Sequence, residues 1–389
     1  MRPLIKANQL SAAVNNRRLI VQLLRQEGAM SRRQLAARTG LQSSTVTYIV
    51  RDLTEQGIIR AVGKLPKAGA GKRQVLLEIN PELGWVAGVG LEGDWASLVF
   101  LDAAGGVIDR DRFALREPAD LLPWAIRTRV DNWVTRHGRP AGKLLGVGVG
   151  VPGIVDPGQG MVLRSTRFKA QDWPLAKLMQ QVFEAPVEID NDSNFAALAE
   201  ARLGSAAGVS NFLYFLMNVS EEGKAYAVHG LGSSLFLDSK LYRGSHYSAG
   251  EIDTLIEKAP YGTVAAEHLL LIARPEGELP RELEPVLERI VDTLVAVVDL
   301  VDPAVVLLGG NLCVSNRRML RFIEEEMNRR VVRVPGRQVA VRSSAFIDYG
   351  VSMGAAVAAL DAALHAGSDE AFPAEAFPAI LNAQPYSPG

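Results

Sequence analysis

The chain has one cysteine in 389 residues, Cys313, so no internal disulfide and no multi-cysteine metal cluster can form. It has no uninterrupted apolar run of membrane-spanning length. The most apolar helical stretch, IVDTLVAVVDLVDP, is broken by Asp292, Asp299 and Asp302. The opening residues MRPLIKANQLSAAVNNRR lack the apolar segment of a secretory signal, and a reducing, cytoplasmic setting is the expectation. Aromatic residues are only 6% of the chain. Net charge is nearly absent as well, at −1.

That small total conceals a segregation of charge. Residues 1–80 hold fourteen Lys and Arg against Glu27, Asp52, Glu55 and Glu78, a net +10. The remaining 309 residues hold 28 bases and 39 acids, a net −11. A basic head on an acidic body points to a polyanionic partner at the head alone. Phosphate contacts would then supply much of the affinity and make it salt-dependent.

The head has a helical pattern. NNRRLIVQLLRQEG sets Leu19, Ile20, Leu23 and Leu24 on one face and stops at Gly28. Ser31 stands three residues before Gln34, a capping-box spacing that opens SRRQLAART, and Gly40 makes the turn. A third helix in LQSSTVTYIVRDLTEQG buries Leu41, Val46, Ile49, Val50 and Leu53. Its other face offers Gln42, Ser43, Ser44, Thr47, Tyr48 and Arg51, small and polar enough to approach base edges in a major groove. IIRAVGKLPKAGAGKRQVLLEIN then alternates as a β-hairpin whose tip carries Lys64, Lys67, Lys72 and Arg73, a wing for phosphates or the minor groove. The partner expected for residues 1–83 is double-stranded operator DNA.

Beyond residue 84, strands alternate with helices, the pattern of an α/β body. GWVAGVGLEGDWASLVFLDAAGGVI reads as a two-stranded hairpin, and LLGVGVGVPGIVD as a buried strand ending in a turn. PVEIDNDSNFAALAEARLG reads as a strand entering a helix, and NFLYFLMNVS and GLGSSLFLDSKLYRG as further strands. PVLERIVDTLVAVVDLVDP is a long helix leading to the strand AVVLLGG, and YGVSMGAAVAALDAAL is a closing helix. The expected lobes are 84–205, joined by the closing helix at 346–368, and 206–345, with a ligand cleft between them. The Pro/Ala-rich segment 369–389 is expected to be a mobile tail.

The order of these motifs resembles the ROK family (repressors, open reading frames and sugar kinases), and within it the branch with a winged-helix head. The resemblance runs from about Asn8 to Leu364. It is carried by SRRQLAARTGLQSSTVTYIVRDLTEQGII, GKR at 71–73, GVGVGVPGIVDPGQG, PVEIDNDSNFAALAE, LYRGSHYSAGEI, and DPAVVLLGG with YGVSMGAA. It implies a two-lobed, actin-like, sugar-kinase-type α/β body behind an all-α, winged-helix DNA-binding domain. It also implies that Asn191 and Asp192 match the family's sugar-contacting amide and catalytic base, and Glu251 a second sugar-contacting acid. A capping role for Asn191, Asp192 and Asn194 at the following helix is the alternative, and the two are compatible. Pro152 and Gly153 shape a loop that either donates to the ligand or merely turns. Glu267 is a looser match to a further sugar-binding acid.

Two features of the family's kinases are altered. Their Asp-x-Gly-Gly-Thr phosphate loop is Gly90-Leu91-Glu92-Gly93-Asp94 here, which places two carboxylates where phosphates would lie. The family's Gly-His and three-cysteine zinc knuckle is replaced by Ile252-Asp253-Thr254 and a stretch without cysteine, and His246 and His268 do not rebuild a tetrahedral site. The expectation is therefore a non-enzymatic regulator, with no metal and no cofactor. It is a homodimer or dimer of dimers whose grip on DNA is set by a sugar-like effector. The rivals are a sugar kinase that kept its head and a DNA-bound scaffold governed by a protein partner.

Overall fold

The computed structural model describes residues 4–64, 73–92, 94–138, 143–222, 225–252, 263–265, 276–310, 316–332 and 334–364. Lys67, Lys72, Glu267, His268, Cys313 and the expected tail 369–389 lie outside the described residues.

The head runs α1 (Leu4–Glu27), β1 (Met30–Ser31), α2 (Arg32–Thr39), α3 (Ser43–Glu55), β2 (Ile59–Lys64) and β3 (Val75–Ile79). The capping box is present: Ser31 Oγ accepts from Gln34 N, and the Gln34 side chain accepts from Ser31 N at 2.9 Å. Gly40 ends α2 at a φ of 69°, in the left-handed region that glycine adopts without a Cβ penalty. α3 buries Val46, Ile49, Val50 and Leu53, whereas Leu41 is only partly buried. β2 and β3 form the antiparallel wing, and β1 pairs with β3 on the other side. Two expectations are corrected. α1 begins well before Asn15, and Leu19 is 37% exposed, the buried place being taken by Val21 beside Ile20, Leu23 and Leu24.

The connection to the body is short. Asn80 donates to Gly57 O and accepts from Glu82 N, and a 3-10 turn at Pro81–Leu83 delivers the chain to β4 (Trp85–Glu92). Three antiparallel strands follow, not two: β4, β5 (Trp95–Asp102) and β6 (Val107–Ala114). β6 exposes Val107, Arg110, Arg112 and Ala114 and half-buries Asp109 and Asp111, so its sequence lacked an apolar alternation. α4 (Leu122–His137) leads to β7 (Leu144–Val151). A small antiparallel sheet of β8 (Ile154–Asp156), β9 (Met161–Ser165) and β10 (Ala170–Trp173) precedes α5 (Leu175–Phe183), β11 (Val187–Asn191) and α6 (Asp192–Leu203). The main sheet has the order β11-β7-β4-β5-β6, with β11, β7 and β4 parallel.

The second sheet is built from β12 (Phe212–Glu222), β13 (Ala225–Leu237), β14 (Lys240–Tyr242), β15 (Thr263–Ala265), β16 (Val305–Gly309) and β17 (Ala340–Ser343), in the order β14-β13-β12-β16-β17 with β15 on β13. α7 (Glu284–Val301) and α8 (Arg317–Arg330) cover one face through Ile290, Leu294, Met319, Ile323 and Met327. α9 (Gly350–Leu364) returns to the first sheet.

Glycine placement explains how closely α9 returns. Residues alternate between the faces of a strand, so Val147, Val149 and Val151 of β7 enter the core under α4 and α5 while Gly146, Gly148 and Gly150 face the other way. A Cβ on Gly148 would overlap Ala355 O, and one on Gly88 of β4 would overlap Ser352 O. On the helix itself, a Cβ on Gly354 would overlap Phe195 O of α6. Strands, α6 and α9 are thus in backbone contact. Beneath the head, Ile20, Leu24, Leu77 and Ile79 share one apolar cluster with Val86, Leu101, Leu360 and Leu364, so head and body have a continuous core.

Candidate nucleic-acid interface and ligand site

On α3, Gln42, Ser43, Ser44, Thr47, Tyr48 and Arg51 are exposed. Ser43, Ser44, Thr47, Tyr48 and Arg51 line a concavity of about 460 Å³. Gln42 is the N-cap residue, but its side chain makes no bond to the first turn. Thr47 Oγ1 donates to Ser43 O at 2.7 Å, presenting its methyl outward. The Arg51 guanidinium sits 5.5 Å from the Tyr48 ring centroid, and its Nε is 3.8 Å from Glu55. This pre-orders a long cation beside an aromatic that is 64% exposed. Lys64 and Arg73 are exposed at the two ends of the wing strands.

Arg17 binds Asp52 and Gln56, Arg38 binds Glu27, and Arg60 binds Glu78 and Glu82, so these brace the fold. Arg32 and Arg33 open α2 and are exposed. The sequence reading left them out, although their place beside the Ser31 cap marks them as cations at a helix start, where anions settle.

In the body, the expected ligand residues gather where α6 meets the second sheet. Asn191 caps α6: its Oδ1 accepts from Asn194 N at 3.2 Å and Ser193 Oγ at 2.5 Å, and its Nδ2 donates to Gly153 O at 2.9 Å. Capping therefore holds for Asn191 and draws Gly153 into the same cluster. Gly153 has a φ of 133°, and a Cβ there would overlap Arg164 O, so its loop needs glycine for backbone reasons. Pro152 O accepts from Ser165 Oγ at 2.6 Å. Asp192 is the first helical residue. Burial pushes its carboxyl up to about 6, and the nearby Glu251 carboxylate adds to the shift. Glu251 is exposed and bridges to Gly232 of β13. Asp192 and Glu251 thus come together, and Glu267 lies outside the described residues.

The cluster also contains residues the sequence reading missed. Asp190, at the end of β11, receives Arg243 Nε and Nη2 on Oδ2 at 3.0 and 2.6 Å, and its Oδ1 accepts from Asn194 Nδ2 and Asn191 N. Asn194 Oδ1 in turn accepts from Ser234 Oγ at 2.8 Å. These bonds stitch the β11–α6 junction to the second lobe across forty or more residues of sequence, a distance at which no local spacing carries a signal. Tyr247 hydrogen-bonds Asp156, whose carboxylate raises the tyrosine pKa.

The altered loop between β4 and β5 is not a bare pair of carboxylates. Asp94 is ion-paired with Arg167 at 2.7 Å, and Glu92 Oε1 lies 3.0 Å from Ser97 Oγ. Burial pushes Glu92 up to about 7, with Asp192 and Asp348 adding and Ser97 and Arg112 opposing. The expected pair of like charges is therefore softened by an arginine on one acid and a raised proton affinity on the other.

Among the described residues, no group of three or more His, Cys, Asp or Glu is arranged to hold a metal ion. A zinc knuckle does not fit this chain, because residues 252–275 supply one histidine and no thiolate. Among the described residues, no helix is long and apolar enough to cross a membrane.

A winged helix-turn-helix joined through a continuous core to a two-sheet, sugar-kinase-type body defines the class of this protein. Residues 15–60 match the winged helix-turn-helix DNA-binding model, and residues 86–256 match the ROK family model. The chain thus carries a ROK family domain behind an N-terminal winged helix-turn-helix. It is 29% identical over 239 residues to the xylose repressor of Caldicellulosiruptor bescii, the alignment covering 61% of this chain and 57% of that one. It is 24% identical over 239 residues to the DNA-binding transcriptional dual regulator NagC of Escherichia coli, covering 61% and 56%. The chain thus spans somewhat over half the length of these curated relatives. In fold it is similar to a ROK family transcriptional regulator, a homologue of the Escherichia coli MLC protein, with a TM-score of 0.69 and 18% identity over 91% of this chain and 96% of that one. A ROK family glucokinase from Streptomyces griseus, in complex with glucose and AMPPNP, matches with a TM-score of 0.58 and 19% identity over 71% and 99%.

Proposed function

We propose that this protein is a transcriptional repressor that binds operator DNA through α3 and the wing, and that a sugar-like ligand at the Asp192–Glu251 cluster sets its affinity for DNA. The observation that carries this reading is the exposed polar face of α3, on a head that also exposes Arg32, Arg33, Lys64 and Arg73 and is fused to a sugar-kinase-type body. Repression is the activity for which the xylose repressors of Caldicellulosiruptor bescii and Bacillus spizizenii are named. The body acts as a sensor and not as a kinase, since Glu92 and Asp94 fill the hairpin that phosphates would require. The working units are the head at 1–83, a lobe at 84–205 completed by the helix at 346–368, and a lobe at 206–345. The protein acts in the cytoplasm as a homodimer or dimer of dimers, because symmetric half-sites need two heads.

The test is fluorescence anisotropy with duplexes selected from a random pool, repeated with D-xylose, N-acetyl-D-glucosamine, sugar phosphates and cyclitols, alongside a thermal-shift screen. A ligand that raises the unfolding temperature is expected to change duplex affinity about 5- to 150-fold, the usual span of allosteric coupling. A chain that binds no duplex overturns the reading. No stabilisation by any ligand would transfer control to a protein partner. ATP-dependent phosphorylation of a sugar, lost in Asp192→Asn, would make the body an enzyme.

A further inference from the structure

α6 and α9 start together and end together. The first turn of α6 carries Asp192, Ser193 and Asn194, all within the ligand cluster. The first turn of α9 carries Ser352, whose hydroxyl lies 2.9 Å from Ser97 Oγ, itself 3.0 Å from Glu92. The two helices cross in backbone contact at Gly354 and Phe195. At their far ends, Arg202 of α6 and Asp361 of α9 approach to 4.0 Å, with side chains 9% and 14% exposed. The same Asp361 carboxylate is bound by Arg25, the last-turn cation of α1 in the head. Twelve residues of α6 and fifteen of α9 span about 18 and 22 Å at 1.5 Å per residue. A carboxylate bound by the reader's Arg25 and approached by the sensor's Arg202 therefore stands a single helix length from the ligand cluster.

We propose that Asp361 is the positioning residue that couples the ligand cluster to the DNA-reading head. Any shift in the first turns of α6 and α9 reaches Asp361 nearly undamped, because glycines lock both helices to each other and α9 to β4 and β7. At Asp361 the shift is handed to Arg25 and so to the angle at which α1 carries α2 and α3. Arg202 keeps the carboxylate from simply following Arg25: burial lowers the Arg202 pKa while Asp361 raises it, so the body holds its own claim on that charge. The inference rests on the function proposed above.

Coupling between two sites is reciprocal, so a duplex that favours one state of the head favours the matching state of the ligand cluster. The full chain is examined by amide hydrogen exchange with and without a duplex selected from the random pool, following peptides over 191–197 and 350–356. In the wild type, saturating duplex is expected to change exchange in both peptides about fivefold or more, the lower bound of typical coupling. Asp361→Asn and Arg25→Gln, each checked for a cooperative unfolding transition, are expected to bind duplex and to lose that change. Asp361→Glu is expected to restore it. Loss of the change in Asp361→Glu as well, its persistence in Asp361→Asn or Arg25→Gln, or a wild type that binds duplex with no change at either peptide, overturns the proposal. A wild type that binds no duplex instead overturns the DNA-reading function, and the relay with it.

Discussion

Glu200 and Ser344 meet in the interior, with the serine hydroxyl donating to Glu200 Oε1 at 2.5 Å. The same oxygen accepts Ala345 N at 2.8 Å, while Oε2 accepts Ser205 N at 2.6 Å. The main chain leaves the first sheet for the second at Gly204–Ser205 and comes back at Ser344–Phe346. One fully buried carboxylate therefore holds both crossings. Burial raises its pKa, and the four donors around it, Phe346 N included, oppose that rise.

Glu200→Ala would strand the Ser344 hydroxyl and two backbone amides without an acceptor. Leaving a buried donor unsatisfied costs about 1–3 kcal/mol, so a loss of about 3 kcal/mol or more is expected in urea unfolding. Glu200→Gln keeps one acceptor oxygen but turns an amide NH2 toward a donor, and a smaller loss of about 1–2 kcal/mol is expected. Equal stability of both variants and the wild type would show that the crossings do not depend on this side chain.

The Asp190–Arg243 clasp makes a second prediction. The Asp190 side chain is 2% exposed and takes two bonds from one guanidinium. Removing one partner of a buried pair leaves the other charge uncompensated, at about 3–5 kcal/mol. Arg243 is 31% exposed, so water repairs part of that, and Arg243→Met is expected to cost about 2–3 kcal/mol. Replacing both partners, as Asp190→Asn with Arg243→Met, is expected to recover at least half of the loss. A double variant no more stable than the single would refute the pairing as the cause.

Much of the head could be read from its sequence because its signals are local. The Ser31–Gln34 spacing, the glycine stop at Gly40 and the alternation in 59–79 each act within a few residues, and each is present in the fold. Leu19 misled because a leucine at helical spacing looks the same whether it faces the core or the rim of a two-layer packing. In the body, Asp192 and Glu251 were singled out through resemblance to the family, and the structure brings them near each other. Arg243 was not found, since its value comes from a partner 53 residues away that no periodicity reveals. The roles of Asp361 and Arg25, 336 residues apart, are equally invisible until the helices are placed.

Glu92 sets a pH dependence. Its carboxyl is raised from 4.5 to about 7, chiefly by burial. A raised acid binds its proton more tightly in the folded state, so its favourable contribution is complete below about pH 4.5 and is lost as pH rises through 7. Above that, the ionised side chain is a cost. Glu92→Gln is therefore expected to match the wild type near pH 5 and to exceed it by about 1–3 kcal/mol at pH 8.5, taking each pKa unit as about 1.4 kcal/mol and discounting for partial access of water. Two parallel stability–pH curves would refute the assignment.

Base reading and phosphate binding separate by salt dependence. Arg51 is held over Tyr48 on the exposed face of α3, proposed to meet base edges, whereas Arg73 lies two residues before β3 at the tip end of the wing, proposed to meet phosphates. Arg51→Ala is expected to weaken binding to the selected duplex by about 1–3 kcal/mol while leaving binding to random duplex nearly unchanged. Arg73→Ala is expected to weaken both alike and to reduce the slope of log K against log salt by about 0.9, one counterion's worth. Arg32→Ala and Arg33→Ala at the start of α2 should resemble Arg73→Ala, since a helix start meets the backbone and not the bases. If Arg51→Ala instead lowers the salt slope and spares sequence preference, α3 lies along the phosphates and the reading helix has been misassigned.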